Sequence, residues 1–237
     1  NNEIVSLTGE KVEMVDEDGN TYMAEPDDIS NGWFIGENKD VIYDYELDGV
    51  YKIGEEAEAA KYGLYPGDFR YVDQNDDGII NSKDRIFRGN SAPPWYGSLI
   101  NNFTYKDFDL GVMLLAKLGY KGGSQWPFNN QQEYIKNRNW YKIPYWTPNN
   151  QIDNGARINS INLAGASYYE NRSYLRIQNI SLGYNVPSRW LNAINGSSAR
   201  VAFTIENAAV FTKWNDGDPE STREMPRTYS FSINFAM

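Results

Sequence analysis

The chain ends with an alternating pattern of apolar and polar residues, Arg227-Thr-Tyr-Ser-Phe-Ser-Ile-Asn-Phe-Ala-Met237. Side chains of a β-strand alternate between its two faces, so this segment divides into an apolar and a small polar side. The apolar side carries Tyr229, Phe231, Ile233, Phe235 and Met237. The other carries Thr228, Ser230, Ser232, Asn234 and Ala236. An amphipathic strand that continues to the final residue is predicted to complete a sheet, as the closing strand of a membrane barrel does.

The composition of the chain narrows the possible classes of partner. Its 237 residues suffice for one large or two small domains, and the net charge is −10 with a pI of about 4.6. An acidic chain of this kind is not expected to bind nucleic acid, because phosphate backbones require a basic surface. No stretch approaches ~20 consecutive apolar residues, which excludes a transmembrane helix but not barrel strands, whose apolar residues alternate with polar ones.

The chain contains neither cysteine nor histidine. Disulfides, thiolate catalysis and the usual general base near neutral pH are therefore excluded, and no enzyme is predicted. The sequence starts at Asn1-Asn2 without methionine or a signal peptide, and the strands below are too few for a large barrel. We therefore expect a fragment of a longer protein.

Long amphipathic strands are predicted in the second half of the chain. Tyr96–Lys106 and Asp107–Leu118 should form a hairpin, and Ala199–Phe211 another long strand. In Ser173–Pro187 the alternation changes phase near Gln178-Asn179, which predicts a β-bulge. Between these strands, residues 119–170 form a long segment rich in Gly, Asn, Gln, Pro and aromatic residues, typical of a functional loop.

The first half has shorter and more varied elements. A hairpin is predicted between Lys11–Val15 and Thr21–Ala24, with strands at Trp33–Ile35 and Val41–Tyr51. Glu55–Tyr62 is the one helix with good helix-forming composition. The change from short, varied elements to long strands divides the chain after residue 94. Residues 1–94 are interpreted as barrel strands with extracellular loop insertions. Residues 95–237 are interpreted as further barrel strands and extracellular loops.

An acidic loop within residues 73–84 matches the pattern of a calcium-binding EF-hand loop. It has oxygen-bearing side chains at loop positions one, three, five and nine, glycine at six and an apolar residue at eight. The predicted Ca²⁺ ligands are Asp73, Asn75, Asp77, the Ile79 carbonyl, Asn81 and Asp84. Position twelve is Asp instead of Glu, as in dockerin-type loops. An acidic turn without an ion is the alternative.

Several further stretches stand out: Pro66–Gly78 with Asp84-Arg85, Phe103–Leu110, Ser173–Tyr184, Glu206-Asn207, Asp218-Pro219-Glu220 and Arg227-Thr-Tyr229. In order and spacing, these stretches resemble the carboxy-terminal part of SusC/RagA-type TonB-dependent transporters of Bacteroidetes. The resemblance covers nearly the whole chain. One departure is Met237 at the end, where such barrels often have an aromatic residue.

The resemblance implies an all-β fold: the carboxy-terminal strands of a transmembrane antiparallel β-barrel of about 22 strands, plugged, with long extracellular loops. It further implies a nutrient importer in the Gram-negative outer membrane, taking up glycans or peptides delivered by a SusD-like lipoprotein. The TonB complex would drive uptake through regions outside this chain. The plug and the early strands are likewise expected to lie outside it.

The long segment between the strands is crowded with aromatic residues. Such rings, with amide neighbours, suit the binding of an oligosaccharide or peptide substrate. The candidate substrate-binding residues are Trp126, Phe128, Tyr134, Trp140, Tyr145 and Trp146. Packing within the loop, or contact with the lipoprotein, is the alternative for most of them.

The barrel interpretation also assigns roles to residues of the strands. Membrane lipid should contact Phe108, Leu110, Val112, Leu114, Phe203, Ile205, Phe231, Ile233 and Phe235. Aromatic residues at the headgroup level are expected at Tyr174, Tyr184, Trp190 and Tyr229. Arg200 and Glu206 would face the lumen. The acidic residues Asp216, Asp218 and Glu220 are interpreted as a solvated turn.

Two other functions fit parts of this pattern. A secreted, calcium-stabilised β-sandwich that binds glycans would use the same aromatic residues, but its apolar faces would form a core. A glycosidase would use paired carboxylates, and the sequence shows no recognisable catalytic setting for them.

Overall fold

The computed structural model describes residues 2–16, 18–124, 126–128, 144–192, 195–221 and 225–237. It is mostly β-structure and forms two compact units. The loop unit comprises Asn1–Ala92 and Lys121–Glu170, and the sheet unit comprises Pro93–Tyr120 and Asn171–Met237. Within the described ranges, no helix is both long and apolar enough to cross a membrane.

The loop unit contains four two-stranded sheets of short strands. They pair β1 (Val12–Val15) with β2 (Thr21–Ala24), β3 (Val41–Tyr45) with β6 (Arg85–Asn90), β4 (Leu47–Val50) with β5 (Phe69–Tyr71), and β9 (Lys121–Ser124) with β10 (Tyr168–Asn171). Helix α1 spans Glu56–Lys61, and two 3-10 helices span Ser82–Asp84 and Trp126–Phe128. Strands of three to six residues are shorter than the ~9–11 residues that cross a bilayer, which favours loop insertions in this unit.

An aromatic core holds the loop unit together. The fully buried ring of Phe69 lies 4.8 Å from Phe128 in an edge-to-face arrangement and 5.3 Å from Tyr168 in a stacked one. Val50, Leu64, Tyr71 and Trp146 complete this core, among others. These residues come from separate stretches of the chain, so the core ties the short sheets to one another.

Gly67 shows how closely the backbone approaches this core. Its φ is +93°, and a Cβ atom there would lie 2.7 Å from the ring of Trp146 and 2.8 Å from Cβ of Arg157. The Gly67 N–H donates to the Tyr51 carbonyl, and its own carbonyl accepts from the N–H of Arg157. Only glycine combines this backbone conformation with this approach.

The sheet unit is one five-stranded antiparallel sheet with the order β13-β12-β11-β8-β7. Its strands are β7 (Trp95–Tyr105), β8 (Phe108–Leu118), β11 (Tyr174–Asn185), β12 (Ser198–Thr212) and β13 (Thr228–Ala236). A short helix, α2 (Ser188–Leu191), lies in the connection from β11 to β12. The predicted hairpin, long strands and final strand are confirmed within two residues at each end.

The predicted bulge is also confirmed. The register of β11 shifts between Ile177 and Asn179 against both of its neighbours. Gln178 is the extra residue against β8, whereas two residues of β12, Asn207 and Ala208, lie opposite it. The shift brings the apolar residues on either side of it, such as Leu175 and Ile180, to the same face of the sheet.

Other sequence predictions need correction. Trp33–Ile35 is not a strand, because only Trp33 forms an isolated bridge, with Asp28. The predicted strand Val41–Tyr51 is two strands, β3 and β4, which pair with different partners. Strands β5, β6, β9 and β10 and helix α2 were not predicted. The boundary after residue 94 nearly coincides with the division of the units at residue 92, but residues 121–170 return to the loop unit.

Candidate functional site: a two-faced sheet and an acidic loop

The sheet unit has one face made almost entirely of large apolar residues. Residues directly opposite each other on neighbouring strands point to the same face, so the register defines rows across the sheet. The central rows are Phe103-Leu110-Leu182-Phe203-Phe231, Tyr105-Phe108-Tyr184-Val201-Ile233 and Asn101-Val112-Ile180-Ile205-Tyr229. All nine residues predicted to contact lipid lie on this face.

This apolar face is not buried in the chain. Phe231 is 65% exposed, Ile233 is 64% exposed and Leu99 is 57% exposed. Contiguous exposed apolar surface of this extent marks contact with a membrane or another protein, because water does not stabilise it. From Phe108 to Leu118 the face extends about 33 Å along β8, at ~3.3 Å per residue.

The opposite face carries small and polar residues. Its central rows are Asn102-Gly111-Ser181-Thr204-Ser230 and Thr104-Asp109-Gly183-Ala202-Ser232. Gly183 lies between Asp109 and Arg200, and the absence of a Cβ lets the Arg200 guanidinium donate to the Asp109 carboxylate at 2.6 Å. This pairing of Arg200 agrees with its predicted position on the polar face.

A buried ion pair ties the loop after β12 to this polar face. The Arg176 side chain donates to both carboxylate oxygens of Asp218, at 2.6 and 2.8 Å, and Arg176 is only 1% exposed. The neighbouring Pro219 carbonyl accepts from Nε of Arg172 at 2.7 Å and from the Tyr120 hydroxyl at 3.1 Å. The loop is thus anchored at two adjacent residues.

The prediction of a solvated turn is therefore wrong for Asp218, which is buried, whereas Glu220 is exposed and forms an ion pair with Lys117. Nζ of Lys117 donates to Glu220 at 2.7 Å. Burial opposes the charged form of Glu220, but hydrogen bonds from Lys117 and Tyr174 outweigh it and lower the pKa of Glu220. With Asp218 paired to Arg176, neither carboxylate is available as a glycosidase acid. The alternation of side chains along β11 could have predicted that Arg176 lies on the polar face. No local sequence pattern, however, indicates that Asp218 is its partner.

The predicted headgroup-level aromatics separate into two groups. Trp190 and Tyr229 are well exposed, and the Tyr184 ring lies 4.6 Å from Phe108 on the apolar face. Tyr174 is buried on the polar face, opposite Lys117 and Thr212. The prediction of a headgroup-level position is therefore wrong for Tyr174.

The acidic loop folds as its sequence pattern predicts. The Gly78 N–H donates to Oδ2 of Asp73 at 2.8 Å, and the Asp77 N–H donates to Oδ1 of Asn75 at 3.1 Å. Gly78 has a φ of +79°, which permits the sharp turn at loop position six. The Tyr62 hydroxyl donates to Asp73, and burial together with this carboxylate raises the pKa of Tyr62.

The predicted metal ligands fit calcium in chemistry more than in arrangement. Asp84 is buried and accepts from the N–H groups of Gln74 and Asn81, forming a capping box with Asn81. The Asn81 amide donates to the Ile79 carbonyl at 3.1 Å. Hard oxygen donors are what Ca²⁺ prefers. In the part of the chain that the structure describes, however, no three acidic side chains converge as a metal site.

The candidate substrate-binding aromatics do not form one surface. Phe128 and Trp146 are buried in the core of the loop unit, so packing is their role in this structure. Tyr145 is 42% exposed and remains available to a ligand. Tyr134, Trp140 and the side chain of Trp126 lie outside the described residues.

Comparison with known proteins identifies relatives of the chain. No family model matches it. It is 27% identical over 191 residues to TonB-dependent receptor P3 of Formosa agariphila, a match that covers 78% of this chain and 19% of the relative. It is 26% identical over 182 residues to TonB-dependent receptor SusC of Bacteroides thetaiotaomicron, covering 70% of this chain and 17% of SusC.

Solved structures show the same fold. The RagAB peptide transporter superposes with a TM-score of 0.61 at 16% identity, over 92% of this chain and 26% of that one. The RagAB peptide importer in its open-open state gives a TM-score of 0.61 at 17% identity, over 99% of this chain and 25% of that one. The relatives are receptors and a transporter, which agrees with the prediction of no enzyme.

The chain spans about one fifth of the length of the curated relatives it matches. Sequence similarity and fold agree in pointing to one group of proteins, and the predicted resemblance is confirmed. The chain resembles part of the SusC/RagA-type TonB-dependent receptors.

Proposed function

We propose that the chain is part of a TonB-dependent nutrient importer, and that its five-stranded sheet forms part of the wall of a transmembrane β-barrel. The exposed apolar face carries this proposal. Its extent along β8, about 33 Å, corresponds to about 25 Å along the membrane normal at a strand tilt of ~40°, which matches the ~25 Å apolar band of outer-membrane barrels. The barrel would be plugged and have about 22 strands, which places the protein in the Gram-negative outer membrane.

The two edges of the sheet support a barrel over a sandwich. Among the described residues, β7 and β13 each pair with only one strand, so each presents a row of unpaired backbone groups. Such edges are tolerated in lipid only when further strands close the sheet. In a secreted sandwich the large residues would face a core, whereas Phe231 and Ile233 are exposed.

The connections of the sheet indicate its orientation. At one end, two residues connect β7 to β8, and α2 lies in the connection from β11 to β12. At the other end, β8 leads into residues 119–170 and β12 into residues 213–226. Barrels have short periplasmic turns and long extracellular loops, so the second end is extracellular.

The remaining parts of the import machinery follow from the family. A SusD-like surface lipoprotein would deliver an oligosaccharide or peptide substrate, and TonB would act through regions outside this chain. RagAB, which shares the fold, is described as a peptide importer. Substrate contact remains proposed for Trp126, Tyr134, Trp140 and Tyr145.

A pair of adjacent substitutions tests the barrel assignment. Leu114 lies on the apolar face and Met113 on the polar face of the same strand. In the complete transporter, Leu114→Arg should cost ~2–4 kcal/mol because it places a charge near the bilayer midplane. Met113→Arg is the matched control and should cost much less, because Met113 lies opposite the uncharged Ile100 and Asn179. Denaturant unfolding in lipid vesicles measures both, and equal costs would contradict a lipid-facing Leu114.

We propose further that the acidic loop binds a structural Ca²⁺ through Asp73, Asn75, Asp77, Ile79, Asn81 and Asp84. The backbone turn and the oxygen donors support this, although binding would have to draw several side chains away from their present N–H partners. The ion would stabilise the folded loop and take no part in chemistry.

A matched pair of acidic residues tests calcium binding. Asp77 is a proposed ligand, whereas Asp76, at loop position four, is not. At [Ca²⁺] about 100 times its dissociation constant, the folded state should gain about 2.7 kcal/mol, seen as a rise in melting temperature. Asp77→Asn should abolish the rise and Asp76→Asn should leave it. No rise with Ca²⁺ in the wild-type protein would contradict the site.

A further inference from the structure

The negative charge of the protein is concentrated in its first 50 residues. They contain 14 of the 32 acidic residues and 2 of the 22 basic residues, a net charge of −12, whereas the rest of the chain carries +2. This segment therefore generates a local negative field that attracts cationic ligands and repels anionic ones.

An open apolar groove lies within this acidic segment. Its volume is about 450 Å³, and its walls include Leu7, Thr8, Pro26, Asp27, Ile29 and Trp33. Trp33 is 46% exposed and Ile29 is also exposed, so both present apolar surface to a ligand. A groove of this size accommodates a few side chains, which fits a peptide better than a folded domain.

Two sets of hydrogen bonds fix the walls of the groove before any ligand arrives. On one side, the Glu25 carboxylate accepts from the Ser6 hydroxyl and from the N–H groups of Leu7, Thr8 and Gly9. The loop on the other side, from Asp28 to Trp33, is closed by reciprocal backbone hydrogen bonds of 2.9 Å. A preformed groove does not lose further loop entropy on binding.

One carboxylate of the groove keeps a free oxygen. Oδ1 of Asp27 accepts from the N–H of Ile35 at 2.7 Å, and within the described chain its Oδ2 has no hydrogen-bond partner. This oxygen can accept a charge-assisted hydrogen bond from a lysine or arginine of a ligand. The indole ring of Trp33 can in addition stack on a guanidinium or pack against an aliphatic side chain.

We propose that this groove binds a free basic peptide, with an apolar side chain against Trp33 and a lysine or arginine at Asp27. The apolar walls supply contact area, and the surrounding carboxylates select for positive charge. The proposal rests on residues of the loop unit alone and does not depend on the import function.

Calorimetric titration of the purified complete transporter tests this site. The probe is a pentapeptide of alternating basic and leucine residues, compared with the same peptide carrying glutamate at its basic positions. The basic peptide should bind saturably, more weakly when salt rises from about 50 to about 500 mM, and the acidic peptide should not bind. Equal binding of the two peptides would overturn the proposal.

Substitutions locate the binding within the protein. Trp33→Ala should weaken the basic peptide at least about tenfold, as expected for a central aromatic anchor, and Asp27→Asn should weaken it several-fold. Trp190→Ala, at an exposed tryptophan of the sheet unit, is the matched control and should have no effect. Ile29→Ser provides a second groove variant if Trp33→Ala fails to fold. Binding of the basic peptide that is unchanged in the groove variants would overturn the proposal.

Discussion

The two units of the molecule place their large apolar side chains differently. In the sheet unit, Phe231 and Ile233 are exposed on one face of long strands. In the loop unit, Phe69 and Phe128 are fully buried between short strands and loops. A surrounding membrane would satisfy the first arrangement, whereas the second needs only the chain itself. An exposed apolar face can therefore be encoded by the sequence as regularly as a buried core is.

The largest loss of stability is expected when the buried ion pair of the sheet unit, between Arg176 and Asp218, is broken. Arg176→Met would leave the buried carboxylate of Asp218 without its partner, which costs about 3–5 kcal/mol of unfolding free energy. Denaturant unfolding of the complete transporter in detergent measures this cost.

A double variant separates the charge from the shape of this pair. Arg176→Met combined with Asp218→Asn should recover much of the loss, because no unpaired charge remains. Arg189→Met, at an exposed arginine of α2, is the control and should change stability little. A single variant as stable as wild type would contradict a structural role for the ion pair.

A smaller effect is expected in the core of the loop unit. Gly67→Ala would place a Cβ atom against Trp146 and Arg157 at a positive φ, at a cost of about 1–3 kcal/mol. Gly63→Ala is a useful comparison, because its φ is also positive but its Cβ would meet no atom within 4 Å. Thermal unfolding should rank Gly67→Ala below Gly63→Ala, and the reverse order would contradict the close approach.

The smallest effect is local and depends on pH. Hydrogen bonds, chiefly from the Thr8 N–H and the Ser6 hydroxyl, lower the pKa of Glu25 from 4.5 to about 2. Because this pKa is lowered on folding, the hold on residues 6–9 is complete above pH 4.5 and is lost as pH falls towards 2. The protection of the Leu7 and Gly9 amides against hydrogen exchange, relative to their intrinsic exchange rates at each pH, should fall over this range.

Substitution of the same carboxyl gives an independent check. Glu25→Gln should accelerate exchange at these amides at neutral pH, because a neutral acceptor forms weaker hydrogen bonds than a carboxylate. Glu13→Gln, on an exposed face of β1, should leave it unchanged. Equal protection in both variants would show that Glu25 does not hold the loop.

The same comparison explains which features the sequence could predict. The alternation in β8, β12 and β13 is local, and one apolar face imposes it at every second residue, so even the bulge at Gln178 is visible. In the loop unit, the paired residues of β3 and β6 are 40 to 49 residues apart along the chain, and no local sequence pattern predicts that pairing. The apolar residues next to Trp33 predict a strand there, whereas reciprocal backbone hydrogen bonds between Trp33 and Asp28 hold it in a closed loop.

In the candidate sites too, the sequence predicts local features and misses contacts between residues that are distant along the chain. The acidic loop is a local pattern, and its turn forms as predicted. The partner of Asp218 is 42 residues away along the chain, so a buried ion pair was mistaken for a solvated turn. Aromatic residues of the long segment look alike in sequence, and only the fold separates the buried Phe128 from the exposed Tyr145.

Depth-dependent labelling along β13 distinguishes a sheet whose apolar face contacts lipid from one whose apolar face is buried in protein. This chain has no cysteine, so single cysteines at positions 229 to 233 can carry spin labels in a cysteine-free transporter reconstituted in lipid vesicles. Labels replacing Tyr229, Phe231 and Ile233 should be relaxed by lipid-soluble oxygen, and those replacing Ser230 and Ser232 by a water-soluble reagent. This alternation would support the membrane-facing sheet. Shielding of all three apolar positions from oxygen would contradict it.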